Sequence, residues 1–274
     1  MSNAKYILIA IAAIVLSSCK KDLDINYAEV GPYYVIEGDI TDEPAKVLIT
    51  QTRGVNDSVK GKGLPGAAVT LSDDNGKSEQ LVFGSDGYYR SPSGWKGETG
   101  RRYTLRVAID GKEFLASSTM KEAAKLDSMQ FVFLSSAGMK MMLLKYWHTY
   151  PKTDELSFIH ARMFKNGKFY RSTMGKQFNT EVTKGQTLLG CTTEKKMDED
   201  DPEDADVILH DNDKVHLELW TIDKSVYDYF FSLNVGKKNA SNPITNISGG
   251  AMGYFSAHHV CTRDTIFFRK DVKE

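Results

Sequence analysis

The stretch Tyr103-Thr104-Leu105-Arg106-Val107-Ala108-Ile109 decides the fold class of this chain. Large apolar side chains occupy every second position, and Thr104 and Arg106 stand between them. A period of two residues is that of a β-strand with one face against a core and the other towards solvent. The stretch therefore predicts a half-buried strand of an antiparallel sheet. Its core-facing residues are Tyr103, Leu105, Val107 and Ile109.

Short strands of the same kind precede and follow this stretch. They are separated by Asn75-Gly76, Asp86-Gly87 and Asp110-Gly111, which are typical hairpin turns because glycine adopts positive φ without steric penalty. Roughly seven short strands within about a hundred residues are typical of a small antiparallel sandwich. We therefore predict an immunoglobulin- or transthyretin-like β-sandwich over residues 32–122.

Residues 120–127 interrupt this rhythm and mark the predicted domain junction. The strands predicted beyond it are longer, and residues 139–150 alternate between two faces. Asp223 is placed to cap one short helix over residues 224–233, where apolar residues recur at helical spacing. The predicted fold class is thus mainly β. The sandwich is followed, over residues 123–274, by a second antiparallel β-rich domain with one short helix.

The start of the chain has the anatomy of a secretory signal. Lys5 precedes the uncharged apolar run 6–16, which is too short to span a bilayer comfortably. The run ends in Leu16-Ser17-Ser18-Cys19, which resembles a bacterial lipobox, where small residues admit the peptidase and the cysteine thiol takes the lipid. We expect residues 1–18 to be a signal peptide and 19–31 a tether lipidated at Cys19. An ordinary signal peptide that ends near a cysteine is the alternative.

Composition limits the class of partner. Hydrophobic residues make up 41% of the chain and aromatic residues 11%, which is enough for a core and argues against global disorder. The formal net charge of −1 argues against nucleic acid as the main partner, because phosphate binding needs a basic face. Apart from Cys19, the chain contains Cys191 and Cys261. In an exported protein these two form a disulfide or remain as buried free thiols.

Motifs for catalysis and metal binding are missing from the sequence. None of the six histidines has zinc-ligand spacing, and the adjacent His258 and His259 would face opposite sides of a strand. The acidic run 198–206 offers oxygen ligands for calcium, but it lacks the glycine of an EF-hand loop, so a solvated loop is the preferred interpretation. We find no nucleophile elbow, phosphate-binding loop or dinucleotide fingerprint. We therefore expect no enzymatic activity, no metal and no cofactor.

Three tryptophans are candidates for stacking on sugars or peptides. Trp95 lies in the Gly- and Ser-rich loop 91–100 and is the candidate ligand or partner contact, with packing under its own loop as the alternative. Trp147 and Trp220 lie in alternating strands and are predicted to be core residues.

Several motifs resemble one protein family. They include Tyr34-x-x-Glu37-Gly38, the strand 65–71, the helix motif 227–230 and the tail 242–255, Asn-Pro-Ile-Thr-Asn-Ile-Ser-Gly-Gly-Ala-Met-Gly-Tyr-Phe. Together with the lipobox they resemble the Bacteroidota outer-membrane lipoproteins of domain of unknown function 4249 (DUF4249). In the tail, glycines would allow close backbone approach, and Tyr254 and Phe255 would supply core or interface area.

The resemblance implies an accessory, surface-facing component encoded beside TonB-dependent transporters, and it carries over no catalytic residues. Asp22 and Asp24 resemble the signal that sends such lipoproteins to the outer face of the outer membrane. We therefore expect a lipid-anchored accessory or ligand-binding subunit of a TonB-dependent glycan or peptide uptake system. Its partners would be the outer membrane and the transporter complex. The alternatives are an extracytoplasmic hydrolase of glycan or peptide and a cell-surface adhesion or structural module.

Overall fold

A computed structural model describes residues 32–52, 63–136, 139–178, 180–191, 208–239 and 241–273. The described residues from Tyr33 onwards belong to one compact unit. The predicted signal peptide, Cys19, the tether and the acidic run 198–206 lie outside the described residues. Within the described part, no helix is long and apolar enough to cross a membrane.

The described residues form strands, one α-helix and a short 3-10 helix at Arg269–Asp271. The helix α1 spans Lys224–Asn239. The strands are β1 (Tyr34–Ile40), β2 (Lys46–Gln51), β3 (Ala68–Asp73), β4 (Ser78–Phe83), β5 (Tyr88–Arg90), β6 (Arg102–Ile109), β7 (Lys112–Thr119), β8 (Lys125–Ser136), β9 (Met139–Tyr150), β10 (Leu156–Lys165), β11 (Lys168–Phe178), β12 (Thr183–Cys191), β13 (Lys214–Ile222), β14 (Ile247–Ser248), β15 (Met252–Ala257) and β16 (His259–Ile266).

The first sheet contains nine strands in the order β14-β7-β6-β3-β4-β5-β2-β1-β15. The strand β4 pairs with β3 through its first half and with β5 through its end. Ile36 of β1, Ile49 of β2 and Val107 of β6 are buried in one core, so the sheet folds over on itself as a sandwich does. In β6 the alternation is as predicted, because Tyr103, Leu105, Val107 and Ile109 are all buried.

A second core lies between two smaller sheets, of order β11-β10-β13-β16 and β12-β9-β8. The predicted faces of β9 are confirmed, since Met142, Leu144, Tyr146 and His148 are buried and the residues between them are not. The protein is thus mainly β, as predicted, and its described residues form several antiparallel sheets and one α-helix.

The tail of the chain returns to the first sheet. The strand β15 pairs in parallel with β1, and β14 pairs with β7. At Gly253, φ is +102°, and an added Cβ would overlap the carbonyl oxygen of Ile36. Phe255 is buried in the sandwich core, and Tyr254 points to the opposite face. The predicted structural role of the tail is confirmed, while the domain boundary at residue 122 stays a prediction.

The helix begins where the sequence predicts and continues beyond residue 233. The backbone N–H of Val226 donates to Asp223 Oδ1 at 3.0 Å, which is the geometry of an N-cap. The other carboxylate oxygen of Asp223 accepts hydrogen bonds from Ser118 Oγ at 2.6 Å and from the Thr119 N–H at 3.1 Å. The cap therefore also ties the helix to β7 of the first sheet.

Candidate functional site

The candidate site is a cleft of about 880 Å³ between the outer face of β1, β2 and β15 and the outer face of β10, β13 and β16. In β1, Ile36 and Ile40 point into the sandwich core, so alternation sends Glu37 and Asp39 into the cleft. Strand pairing places Tyr254 beside Glu37. The residues that line the cleft include Glu37, Asp39, Asp42, Glu43, Lys46, Tyr88, Arg90, Arg162, Glu218, Trp220, Tyr254 and His258.

The opposite wall is organised around Trp220 of β13. The Arg162 guanidinium lies over its ring, 4.3 Å from the centroid, and the His258 ring stacks on it at 4.1 Å. These contacts leave the Trp220 side chain only 6% exposed. Trp220 Nε1 donates to Glu218 Oε2 at 2.9 Å, and Arg162 is 3.6 Å from the same oxygen. These contacts hold Trp220, Arg162 and Glu218 as one rigid wall.

Two carboxyl groups of β1 are perturbed by the low polarity of the cleft wall. Burial raises the pKa of Asp39 to about 6, although Lys46 and Arg162 nearby act in the opposite direction. Burial also raises the pKa of Glu37, again against the charge of Arg162. Asp39 Oδ1 is a buried acceptor without a hydrogen-bond partner among the described residues.

His258 completes the inner end of the cleft and is only 1% exposed. Its Nδ1 lies 2.8 Å from Ser256 Oγ, and its Nε2 has no hydrogen-bond partner among the described residues. Burial lowers the pKa of His258 to about 3, so the imidazole is neutral at physiological pH. His160, packed against Phe230 at 4.3 Å, is buried too, and burial lowers its pKa to about 3.

A chain of three polar side chains begins at Asp42, which lines the cleft, and continues through His259 to Thr99 outside the lining. His259 Nδ1 is 2.8 Å from Asp42 Oδ1, and His259 Nε2 is 2.8 Å from Thr99 Oγ1. The order hydroxyl, imidazole, carboxylate is the order used by hydrolases that activate a hydroxyl nucleophile. The same contacts tie two loops of the sandwich, one with Asp42 and one with Thr99, to His259 at the start of β16. His258 and His259 thus contact different groups, and the described residues contain no cluster of three or more His, Cys, Asp or Glu suited to a metal ion.

A family model described as "Domain of unknown function (DUF4249)" matches residues 20–264. The chain belongs to the DUF4249 family. This confirms the family resemblance found in the motifs, and the match includes every residue of the cleft named above. A search among curated proteins finds no match for the chain.

In this DUF4249 protein, Trp95 lies outside the cleft. The indole is 5% exposed, belongs to the sandwich core and packs edge-on against Tyr103 at 5.9 Å. Lys77 Nζ covers the ring, 4.1 Å from its centroid. The backbone N–H of Trp95 donates to Ser91 Oγ at 2.7 Å. The structure therefore has Trp95 packed under its own loop, which is the alternative to a ligand contact.

The sequence pattern did not single out the residues that form the cleft. Trp220 is buried as predicted, but it lies in the cleft wall rather than in a closed core. The one local signal was in β1, where Glu37 and Asp39 fall on the face opposite to its apolar residues. Arg162 and His258 carried no such signal, since their surroundings come from distant strands.

The two cysteines of the DUF4249 body are free thiols in separate strands. Cys191 ends β12, and Cys261 lies in β16, where its Sγ donates to the Ala124 carbonyl at 3.1 Å. Burial raises the pKa of Cys191 to about 12 and also raises the pKa of Cys261. Both thiols are therefore protonated and poorly nucleophilic in the folded protein.

We expect both thiols to react with iodoacetamide much faster after unfolding than in the native protein. Mass spectrometry of protein unfolded without reductant should find Cys191 and Cys261 alkylated, and native protein at pH 8 should show slow labelling of both. Reductant should leave the melting temperature unchanged. Absence of labelling until a reductant is added would show that the two cysteines are bridged.

The buried histidines predict acid sensitivity. Below its ordinary pKa of 6.5 a histidine of the unfolded chain takes up a proton, while His258 stays neutral in the fold down to about pH 3. Stability should therefore fall as pH drops through this window, by up to about 1.4 kcal/mol per pH unit for each such histidine. Asp39 opposes this, because its raised pKa makes the folded protein bind a proton between its ordinary pKa and about pH 6.

Urea denaturation of the His258→Gln variant measures this contribution. Between pH 6.5 and pH 4.5 the variant should lose less unfolding free energy than the wild type, because glutamine does not titrate. His210→Gln replaces a histidine whose side chain is 66% exposed and serves as control. Equal losses in the wild type and in His258→Gln would contradict the assignment of a neutral buried imidazole.

Proposed function

We propose that this DUF4249 protein is a surface-exposed outer-membrane lipoprotein. It serves as an accessory or ligand-binding subunit of a TonB-dependent uptake system for glycan or peptide nutrients. The observation that carries the proposal is the cleft. Its volume of about 880 Å³ falls within the range of small-molecule sites, and it is lined by residues with buried polar atoms that find no hydrogen-bond partner in the part of the chain that the structure describes. A wall built only for packing would be expected to satisfy such atoms internally.

The lipobox supports the anchored part of the proposal. A cysteine that carries a diacylglycerol and an N-acyl chain buries more than one lipid tail, at about 0.8 kcal/mol per methylene, which gives a stable anchor. Anchoring at Cys19 confines the body to the membrane surface, where even a weak contact with a transporter persists at high effective concentration. The family resemblance supports the choice of a TonB-dependent transporter as that partner.

Affinity purification tests the proposal. The full chain with a C-terminal tag is purified from detergent-solubilised outer membranes of its host, and the co-purified proteins are identified by mass spectrometry. We expect a TonB-dependent barrel in near-stoichiometric amount. The Cys19→Ser variant is the control. It should be missing from the outer-membrane fraction and should not co-purify with the barrel. Recovery of the lipoprotein alone, under conditions that keep other transporter complexes intact, would contradict the proposal.

Hydrolysis of glycan or peptide is the second candidate function. It is favoured by the Thr99–His259–Asp42 chain, of which Asp42 lines the cleft, and by two perturbed carboxyl groups within the cleft, Glu37 and Asp39. Turnover of fluorogenic peptides or glycosides that is lost in Thr99→Val or in Asp39→Asn would establish it. Absence of turnover, together with binding in the cleft, would leave the binding function alone.

A further inference from the structure

We propose that the cleft recognises a protonated amine, so that the ligand taken by this protein is a cationic peptide rather than a glycan. The inference rests on the proposed ligand-binding function and names the ligand class for the same site. It follows from the charge balance of the cleft, from two buried atoms that have no hydrogen-bond partner in the described part of the chain, and from the burial of Trp220.

Carboxylates outnumber cations around the cleft. Five acidic side chains line it, against Lys46 and two arginines. Both arginines are already paired: Arg162 lies against Glu218 at 3.6 Å, and Arg90 donates to Asp86, which lies outside the lining, at 2.6 Å. His258 adds no charge, since its imidazole is neutral. The cleft therefore attracts a cation and repels an anionic ligand.

Asp39 supplies the acceptor that such a cation needs. Its Oδ1 is buried and accepts no hydrogen bond from the described residues. A buried carboxylate oxygen without a donor costs about 1–3 kcal/mol or more, and an ammonium group removes that cost with a charge-assisted hydrogen bond. A ligand carboxylate at the same place would add like charge beside Asp39 and Glu37.

His258 is a second and independent sign of a ligand. The side chain is 1% exposed, lines the cleft and leaves Nε2 without a partner among the described residues. In the tautomer whose Nδ1–H donates to Ser256 Oγ, Nε2 carries a lone pair and accepts an N–H from the ligand. An ammonium group carries three N–H donors. Ligands of this one class can therefore donate both to an imidazole nitrogen such as His258 Nε2 and to a carboxylate oxygen such as Asp39 Oδ1.

The surroundings of Trp220 disfavour sugar. An aromatic side chain binds a sugar ring by presenting an open face, whereas Trp220 is only 6% exposed and is in contact with Arg162 and His258. The cleft thus offers acceptors without an open indole face. A metal ion is also disfavoured as ligand, because the described residues contain no cluster of three or more suitable side chains.

Isothermal titration calorimetry on the full lipidated chain in detergent tests the inference at pH 7.5. The probes are trilysine, triglutamate and maltotriose. We expect trilysine to bind the wild type, and the Asp39→Asn variant to bind it at least tenfold more weakly. Glu122→Gln removes an equal charge from an exposed position outside the cleft and should bind as the wild type does. Circular dichroism establishes that both variants are folded.

A pH series gives a second readout on the same samples. Asp39 is faced by Glu37 of its own strand, Lys46 of β2, Tyr254 of β15 and Arg162 of β10, and burial raises its pKa to about 6. Trilysine affinity should fall between pH 7.5 and pH 5 in the wild type and fall less in Asp39→Asn, because lysine stays charged while Asp39 is neutralised.

The outcomes separate this inference from the proposed function. Equal trilysine binding by the wild type and Asp39→Asn, or no trilysine binding, overturns the amine assignment. Binding of maltotriose or triglutamate in preference to trilysine overturns it too, and leaves a ligand-binding subunit in place. Selective trilysine binding that depends on Asp39 upholds the assignment even where no transporter co-purifies, in which case only the uptake partner is lost.

Discussion

Replacing Gly253 by alanine should destabilise the protein by about 2–5 kcal/mol, the sum of a positive-φ penalty and steric overlap. Gly253 has φ of +102°, and an added Cβ would overlap the Ile36 carbonyl in the neighbouring strand. The obstructing atoms are backbone, so relief requires β1 and β15 to separate. These two strands carry Glu37, Asp39 and Tyr254, and the variant should therefore lose the cleft as well.

Urea denaturation followed by circular dichroism measures this effect, with Gly250→Ala as the matched control. Gly250 also has positive φ, +89°, but nothing lies within 4 Å of an added Cβ. Its replacement should cost only the backbone strain of about 1–2 kcal/mol. Equal destabilisation of the two variants would show that the contact between β1 and β15 does not depend on the missing side chain.

Asp223→Ala should be the second strongly destabilised variant, by about 2–4 kcal/mol. The carboxylate accepts hydrogen bonds from Val226 N–H at the start of α1 and from Ser118 and Thr119 in β7. A lost N-cap costs about 0.5–2 kcal/mol, and a hydrogen bond to a charged group contributes about 1.5–3 kcal/mol. The variant should also loosen the helix from the first sheet, because one side chain makes both contacts.

Chemical denaturation compares this variant with Asp228→Ala. Asp228 lies one turn into the same helix and pairs with the exposed Lys224, an arrangement that contributes less than about 1 kcal/mol. Hydrogen exchange should show faster opening of α1 in Asp223→Ala only. A free-energy loss no larger than that of Asp228→Ala would contradict the role of Asp223 as the link between helix and sheet.

The elements that the sequence predicted are those fixed by local patterns. The strand 103–109 and the two faces of β9 follow from alternation, and α1 follows from its cap at Asp223 and its apolar spacing. The length of α1 was underestimated, since helix ends are weakly marked where the apolar spacing fades. Local chemistry thus predicted most strands and the position of the helix.

The cleft could not be predicted in this way, because its walls meet only in three dimensions. Asp39, Arg162 and His258 are separated by roughly a hundred residues each, and they are brought together by the parallel pairing of β15 with β1. No periodicity encodes such a pairing. Trp95 shows the converse. A Gly- and Ser-rich loop suggested exposure, but Ser91 accepts a hydrogen bond from the Trp95 backbone N–H, and Lys77 covers the indole.

The membrane-anchored state of this subunit is tested most directly at the lipid anchor, which mass spectrometry of the mature N-terminal peptide measures. The protein is purified from host membranes in detergent and digested before analysis. We predict a first residue Cys19 that carries a thioether-linked diacylglycerol and an N-acyl chain, and no trace of residues 1–18. An N-terminal peptide with unmodified Cys19, or one that retains the first residues of the chain, would contradict a membrane-anchored binding subunit.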